Sequence, residues 1–262
     1  MKRIRLCQII LCLLVLSGCG QKVDYMPSYS AGPVISVSPT PTPLNEYEFS
    51  DDQIQILRSN LAHDQSINPD CTAFLVFQSA LVKEVVLKGI DNTTYLYTDW
   101  ETGNYRSYGS LMMDYENQTD QEDMNTIIYG HYVYASKNPN RYLEFTPLEK
   151  LQDFSNYEEN KYLALVTDYD IRYYQVAVVY DCPMVSTPEG QTADEGYQFN
   201  QITYSPEYFE EYLKNIKSRE YYDTGVELTD QDKLLTLQTC IEDQDESRQI
   251  VVCKELERSA FE

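Results

Sequence analysis

The chain has only two histidines, His63 and His131, and 20 Lys and Arg against 42 Asp and Glu, for a formal net charge of −22. With so few cations there is no basic stripe to neutralise phosphates, which argues against a nucleic-acid partner. The seven cysteines include no Cys-x-x-Cys pair and no Cys/His cluster, so no zinc set is present, and neither metal nor other cofactor is expected. The acidic run Glu242-Asp243-Gln244-Asp245-Glu246 lacks the regular spacing of a calcium loop and reads as a solvated turn. No apolar run reaches the ~20 residues that a membrane-spanning helix requires. There is no internal repeat.

The scarcity of imidazole narrows the chemistry. His63 lies in the polar stretch Ala62-His63-Asp64-Gln65, whereas His131 directly follows the apolar run Asn125-Thr126-Ile127-Ile128-Tyr129-Gly130, whose glycine permits a tight turn. A second run, Leu234-Leu235-Thr236-Leu237-Gln238-Thr239-Cys240, reads as a strand with its thiol at the carboxyl end. Arg248 then opens the run Ile250-Val251-Val252, and a hairpin would bring Cys240 and Arg248 to one rim. A thiol needs a neighbouring base or cation to become a nucleophile at neutral pH. His131 is the candidate for that role, and a guanidinium suits the oxyanion formed when a thiolate attacks a carbonyl. No Asp is identifiable as a third member. Each signal also has a plainer reading. A cysteine at a strand end can be a small buried hydrophobe, a histidine after Tyr-Gly a loop residue, and Arg248 a partner of the nearby acids.

The amino terminus carries Met1-Lys2-Arg3-Ile4-Arg5 and then the apolar stretch from Leu6 to Gly18, which reads as a secretory signal over residues 1–18. Residues 19–48, with Pro27, Pro33, Pro39, Pro41 and Pro43 among Ser and Thr, read as an extended tether. The folded domain is expected over 49–262. It opens on a helix with Ser50 and Gln53 as a capping box and Phe49 stapled onto Ile54. Eight short β-rich runs follow: Phe74 to Phe77, Val82 to Ile90, Leu111 to Met113, Thr126 to Tyr129, Tyr162 to Thr167, Ile171 to Tyr180, Leu234 to Thr239 and Ile250 to Val252. They predict a mainly β barrel or sandwich. One further helix is expected over Ser205 to Lys217, with Ser205 as cap, Pro206 at its first position, and Tyr208, Phe209, Tyr212, Leu213 and Ile216 on one face. Outside the cell Cys71 and Cys182 could pair, while Cys253 reads as a core residue.

Taken in order, these motifs resemble the sortases, and most closely class B. The likeness runs through Asp91-Asn92-Thr93-Thr94-Tyr95-Leu96, Gly109-Ser110-Leu111-Met112-Met113-Asp114, Tyr129-Gly130-His131, Thr236-Leu237-Gln238-Thr239-Cys240 and Arg248-Gln249-Ile250-Val251-Val252. The helix before the cysteine strand is similar to one that class B members carry beside the substrate groove. The resemblance implies an eight-stranded β-barrel with peripheral helices and a cysteine transpeptidase. Cys240 would attack the threonine carbonyl of a sorting signal, His131 would protonate the leaving amine, and Arg248 would hold the oxyanion. An amine of cell-wall peptide or pilin would then release the product. Asn92, Leu96 and Tyr129 match positions lining the family's groove. Two residues depart from the pattern: Gln238 stands where a small Ser is usual and Ile241 where an acid is common, which bears on signal preference.

Leu16-Ser17-Gly18-Cys19 resembles a lipobox, which would acylate Cys19 and place the domain on the outer face of a Gram-positive membrane. Most sortases instead keep an uncleaved anchor, which stays open as the alternative. Two rivals to the transpeptidase are a catalytically silent, lipid-tethered peptide-binding or adhesion protein and a hydrolytic cysteine protease.

Overall fold

The computed structural model describes residues 45–120, 123–133, 138, 140, 142–187, 190–193, 201–240 and 248–261, with the main chain alone at 184–187, 190–193 and 240. All of these belong to the compact unit Pro43–Glu262. The leader, Cys19, most of the tether, Ile241 and the acidic run after it lie outside the described residues.

Helix α1, Asp51–Ile67, begins as the sequence predicts. Ser50 is extended and accepts from the Gln53 amide, and the Gln53 side chain returns to the Ser50 amide. Phe49 and Ile54 meet in one apolar cluster with Leu57 and Leu61 of the same helix. The strands that follow are β1 Cys71–Phe77, β2 Lys83–Leu87, β3 Met112–Met113, β4 Asn125–His131, β5 Tyr162–Val166 and β6 Asp170–Cys182. After the short helix α2, Tyr157–Asn160, which precedes β5, the later elements are β7 Met184–Thr187, β8 Gly190–Ala193, helix α3 Pro206–Lys217, β9 Leu234–Cys240 and β10 Arg248–Ala260.

Eight strands close into a barrel in the order β1-β2-β3-β4-β9-β10-β6-β5, and β7 and β8 form a separate hairpin. All eight apolar runs of the sequence become barrel strands, with altered bounds. Ile90 lies beyond the end of β2 and is exposed, because the chain turns off the sheet after Leu87. β10 continues far past Val252 as the long antiparallel partner of β6. The β7–β8 hairpin has no counterpart among the predicted runs.

Alternation along the strands sorts the apolar side chains into three clusters. Leu75, Ile128, Leu163, Tyr174, Val176, Leu237 and Val251 fill the barrel. Phe74, Val85, Met112 and Tyr173 form an outer face beneath α1. Tyr180, Ile250 and Val252 form another beneath Phe209, Tyr212 and Ile216 of α3, whose cap Ser205 accepts from the Tyr208 amide. The expected apolar stripe of α3 is therefore the face it buries.

Cys71 and Cys182 are both buried, the first in the cluster under α1 and the second in the one under α3, and the pairing left open by the sequence does not form. Burial, aided by Asp64 and Asp70, pushes the Cys71 thiol up to about 12. Burial likewise raises that of Cys253, which packs inside the barrel.

Gly130 makes no turn. It sits inside β4, and a Cβ there would lie 2.3 Å from Leu111 Cδ2 and 2.7 Å from Phe145 Cδ2. Its role is close approach of the 3-10 segment Thr146–Gln152, entered through Phe145, to the strand that carries His131. Gly130→Ala is expected to cost about 1–3 kcal/mol through overpacking. Urea unfolding should show a lower midpoint at the same slope.

Candidate active site

Three neighbouring strands bring the predicted residues together. β4 and β9 run parallel, in a register that pairs His131 with Cys240. β10 runs antiparallel to β9 with Ile250 opposite Gln238, and two further residues along that register set Arg248 opposite Cys240. Arg248 in turn pairs with Cys182 of β6. His131, Cys240 and Arg248 thus occupy one row across adjacent strands, which lie roughly 4.8 Å apart. His131 shares the parity of Tyr129, and Arg248 that of Ile250, so both belong to the outer face of the barrel.

The ends of these strands are locked by polar contacts. Thr239 Oγ1 accepts from the Gln249 amide at 2.9 Å, and Arg248 Nη1 donates to the Thr239 carbonyl at 3.4 Å. Gln249 Nε2 reaches the Leu148 carbonyl at 2.7 Å, tying β10 to the segment behind Gly130. Lower on β9, Thr236 Oγ1 donates to Asn125 Oδ1 of β4 at 2.8 Å.

His131 is buried, with 6% of its surface exposed, and its Nε2 lies 2.8 Å from the Leu96 carbonyl oxygen. A carbonyl oxygen can only accept, so Nε2 carries a hydrogen, and any proton exchange by the ring falls to Nδ1. The segment Asp91–Leu96 is built around that contact. The Asp91 carboxylate accepts from the Thr93 and Thr94 amides, each at 2.8 Å, and these bonds hold it down at about 2. The 3-10 turn Thr94–Leu96 begins there. The Tyr95 hydroxyl donates to Asp70 at 2.6 Å and pins the turn to the base of β1. Gly109, at φ +52°, packs against the Tyr95 and Leu96 carbonyls so tightly that a Cβ would come within 2.2 Å of both oxygens.

The three groove residues suggested by resemblance are distributed around this turn. Leu96 supplies the main-chain acceptor for His131 and leans its side chain on the cluster under α1. Asn92 Nδ2 and the Tyr129 hydroxyl both donate to Asp114 Oδ2, at 2.9 and 2.8 Å, while Asn92 Oδ1 accepts from the Tyr115 amide. Asp114 is the residue that sequence reasoning missed. It appeared only as the last member of a matched segment, and the convergence of two distant donors on one carboxylate leaves no local signal. Gln238, two residues before Cys240, pairs with Tyr129 on one side and Ile250 on the other. It is buried, and among the described residues its Oε1 has no hydrogen-bond partner.

Beyond Leu96 the chain forms a small hairpin. Thr98 bridges Tyr105, the Arg106 amide donates to the Tyr97 carbonyl at 2.9 Å, and the Asp99 amide donates to that of Asn104 at 2.9 Å. Arg106 anchors it through Asp99 at 2.9 Å, Glu144 at 2.8 Å and the Gly109 carbonyl at 2.6 Å. Glu144 is buried beside Phe145, whose amide donates to the His131 carbonyl at 3.1 Å. Burial, and next the charge of Glu84, raise the Glu144 carboxyl well above the ordinary range despite Arg106. Burial also lifts Glu84 to about 7, against the pull of Arg106.

No family model matches the chain. Sortase B of Listeria monocytogenes is 27% identical over 193 residues, spanning 72% of this chain and 70% of that protein. Among solved structures, a Staphylococcus aureus sortase B–substrate complex is similar with a TM-score of 0.64 at 24% identity, covering 79% of this chain and 92% of the other. A sortase B complexed with triglycine is similar with a TM-score of 0.65 at 24% identity, covering 80% and 94%.

Two outcomes follow for this site. Gly109→Ala should displace the Leu96 carbonyl from His131 and lower both stability and any His131-dependent rate, measured by urea unfolding and by steady-state kinetics. For the carboxyl pair, a folded pKa above the unfolded value means that folding takes up protons. The stability tied to Glu84 is therefore complete below about pH 4 and lost as pH rises through about 7. Glu84→Gln should gain about 1–3 kcal/mol over the parent at about pH 8 and flatten the decline, read from melts across that range.

Proposed function

We propose that the chain is a class B sortase, a cysteine transpeptidase like the relatives it resembles on this barrel, and that it cleaves a carboxyl-terminal sorting signal after threonine and passes the acyl group to an amine. The observation that carries this reading is the row His131–Cys240–Arg248 across β4, β9 and β10. The three residues arrive there from three separate stretches of chain.

The Cys240 thiolate attacks the threonine carbonyl, and Arg248 stabilises the negative oxygen. As the tetrahedral intermediate collapses, the C–N bond breaks and His131 delivers a proton from Nδ1 to the departing amine. The thioacyl on Cys240 then meets an amine, whose attack forms the new amide and returns the thiol. The buried, alkaline-shifted Cys71 and Cys253 are poor alternatives as nucleophile. A sortase B complexed with triglycine supports an amine-ended peptide as acceptor. Cell-wall cross-bridge and pilin lysine are both amines of that chemistry. Asn92, Leu96 and Tyr129 are proposed to face the signal peptide, with Gln238 biasing its preference. A lipid on Cys19, with residues 19–48 as tether, would hold the domain at the outer face of the membrane. The sequence around the lipobox supports this over a retained signal anchor.

The test is incubation of the purified protein with Leu-Pro-x-Thr-Gly, Ser-Pro-x-Thr-Gly and Asn-Pro-x-Thr-type peptides, with and without an amine, followed by mass spectrometry. Cys240→Ala and His131→Ala are expected to abolish cleavage. Arg248→Ala should lower kcat by about 10²–10³, the loss of an oxyanion donor. Parental turnover in the Cys240 variant would refute the nucleophile, and hydrolysate without amide product would leave a protease.

A further inference from the structure

The order of the row has a directional consequence, which rests on the transpeptidase reading above. Cys240 stands between His131 on β4 and the register position of Arg248 on β10. The leaving amine departs on the His131 side, because that imidazole protonates it. The incoming amine must give up its proton to the same nitrogen, so it approaches within hydrogen-bond reach of His131 and on the same flank. The oxyanion and Arg248 occupy the opposite flank. Among the described residues, His131 is bordered by the Leu96 carbonyl and by the Tyr97 ring, 5.7 Å from the imidazole centroid, and both come from the connection leading into β3, which flanks β4 on the side opposite β9. Tyr105 stacks on Tyr97 at 6.3 Å with an interplanar angle of 17°, and it is 77% exposed.

We propose that the Tyr97–Tyr105 pair is the docking platform of the amine acceptor, receiving the cationic end of an amine-bearing peptide on its way to the thioacyl group. Three features fit that occupant. The aromatic faces attract an ammonium through their quadrupole. The chain carries a net charge of −22, Glu101 is exposed at the turn of the same hairpin, and the hairpin's own cation, Arg106, is paired with Asp99. The platform is also preorganised, since the Thr98–Tyr105 bridge and the Arg106 contacts with Asp99, Glu144 and Gly109 fix it without help from the acceptor. From the platform the ammonium releases one proton to solvent, and the free amine then gives a second to His131 Nδ1 as it attacks the thioacyl carbon. The C–N bond forms, the C–S bond breaks, and the proton passes to the departing Cys240 thiolate.

The experiment uses Tyr105→Ala and Tyr105→Phe in the full chain, a sorting peptide that the parent cleaves, and two acceptors, triglycine and hydroxylamine. Tyr105 is exposed, so both variants should fold. In Tyr105→Ala the triglycine concentration at half-maximal transfer should rise about three- to tenfold, and the ratio of amide product to hydrolysate should fall. Tyr105→Phe, which keeps the ring, should follow the parent. Hydroxylamine is largely unprotonated at neutral pH and brings no ammonium to the tyrosines, so it serves as the reference for resolution of the intermediate. An equal fall with both acceptors, or an unaltered triglycine dependence in Tyr105→Ala, overturns the platform while leaving the transpeptidase intact. A parent that forms no thioacyl with any peptide overturns both.

Discussion

The parallel pairing of β4 with β9 is the constraint on which the site depends. Seven consecutive residue pairs, from Asn125–Leu234 to His131–Cys240, keep the two strands in step over their whole length. A slip of β4 by one residue would send each of its side chains to the opposite face, moving Ile128 out of the barrel and His131 into it. The barrel core therefore protects the alignment of imidazole and cysteine. The buried Thr236–Asn125 bond reinforces it, since a slipped strand would strand both polar groups.

The fold was largely legible because its strands are buried on at least one face and their apolar runs are bounded by polar turns. The capping box at Ser50 and Gln53 and the α3 cap at Ser205 were readable because both are local, a side chain reaching an amide three residues away. Non-local features were not. Nothing near Asp114 announces that Asn92 and Tyr129 converge on it, and nothing near Leu96 marks its carbonyl, rather than its side chain, as the group that orients His131. Gly130 was read as a turn former from its conformational freedom, whereas its position answers to lack of volume. The candidate site residues stand out through the resemblance of short motifs. Their sequence context alone also fitted a buried thiol, a loop histidine and a surface arginine.

The surroundings of His131 are assembled from backbone more than from side chains. Among the described residues its ring meets the Leu96 carbonyl, that carbonyl is held by a capped turn, and the turn is buttressed by a glycine with positive φ. The adjoining hairpin is tied down by a guanidinium that also reaches the buried Glu144, next in sequence to the residue bonded to the His131 carbonyl. Charge state at Glu84 and Glu144 is thereby linked to the seating of the His131 ring through Arg106 and Phe145. Such frameworks tolerate substitution of exposed side chains and resist changes in the main chain.

The circular hydrogen-bonding of the eight barrel strands limits how any extended ligand can be read. In an open sheet, a visiting segment can lie along a vacant margin and borrow its amides and carbonyls, gaining affinity that is indifferent to side-chain identity. Over their paired lengths the barrel strands engage those groups with one another. Discrimination among ligands must then come from outward-facing side chains and from the connecting segments around the rim, so these are the parts free to diverge between relatives while the cylinder beneath them stays the same.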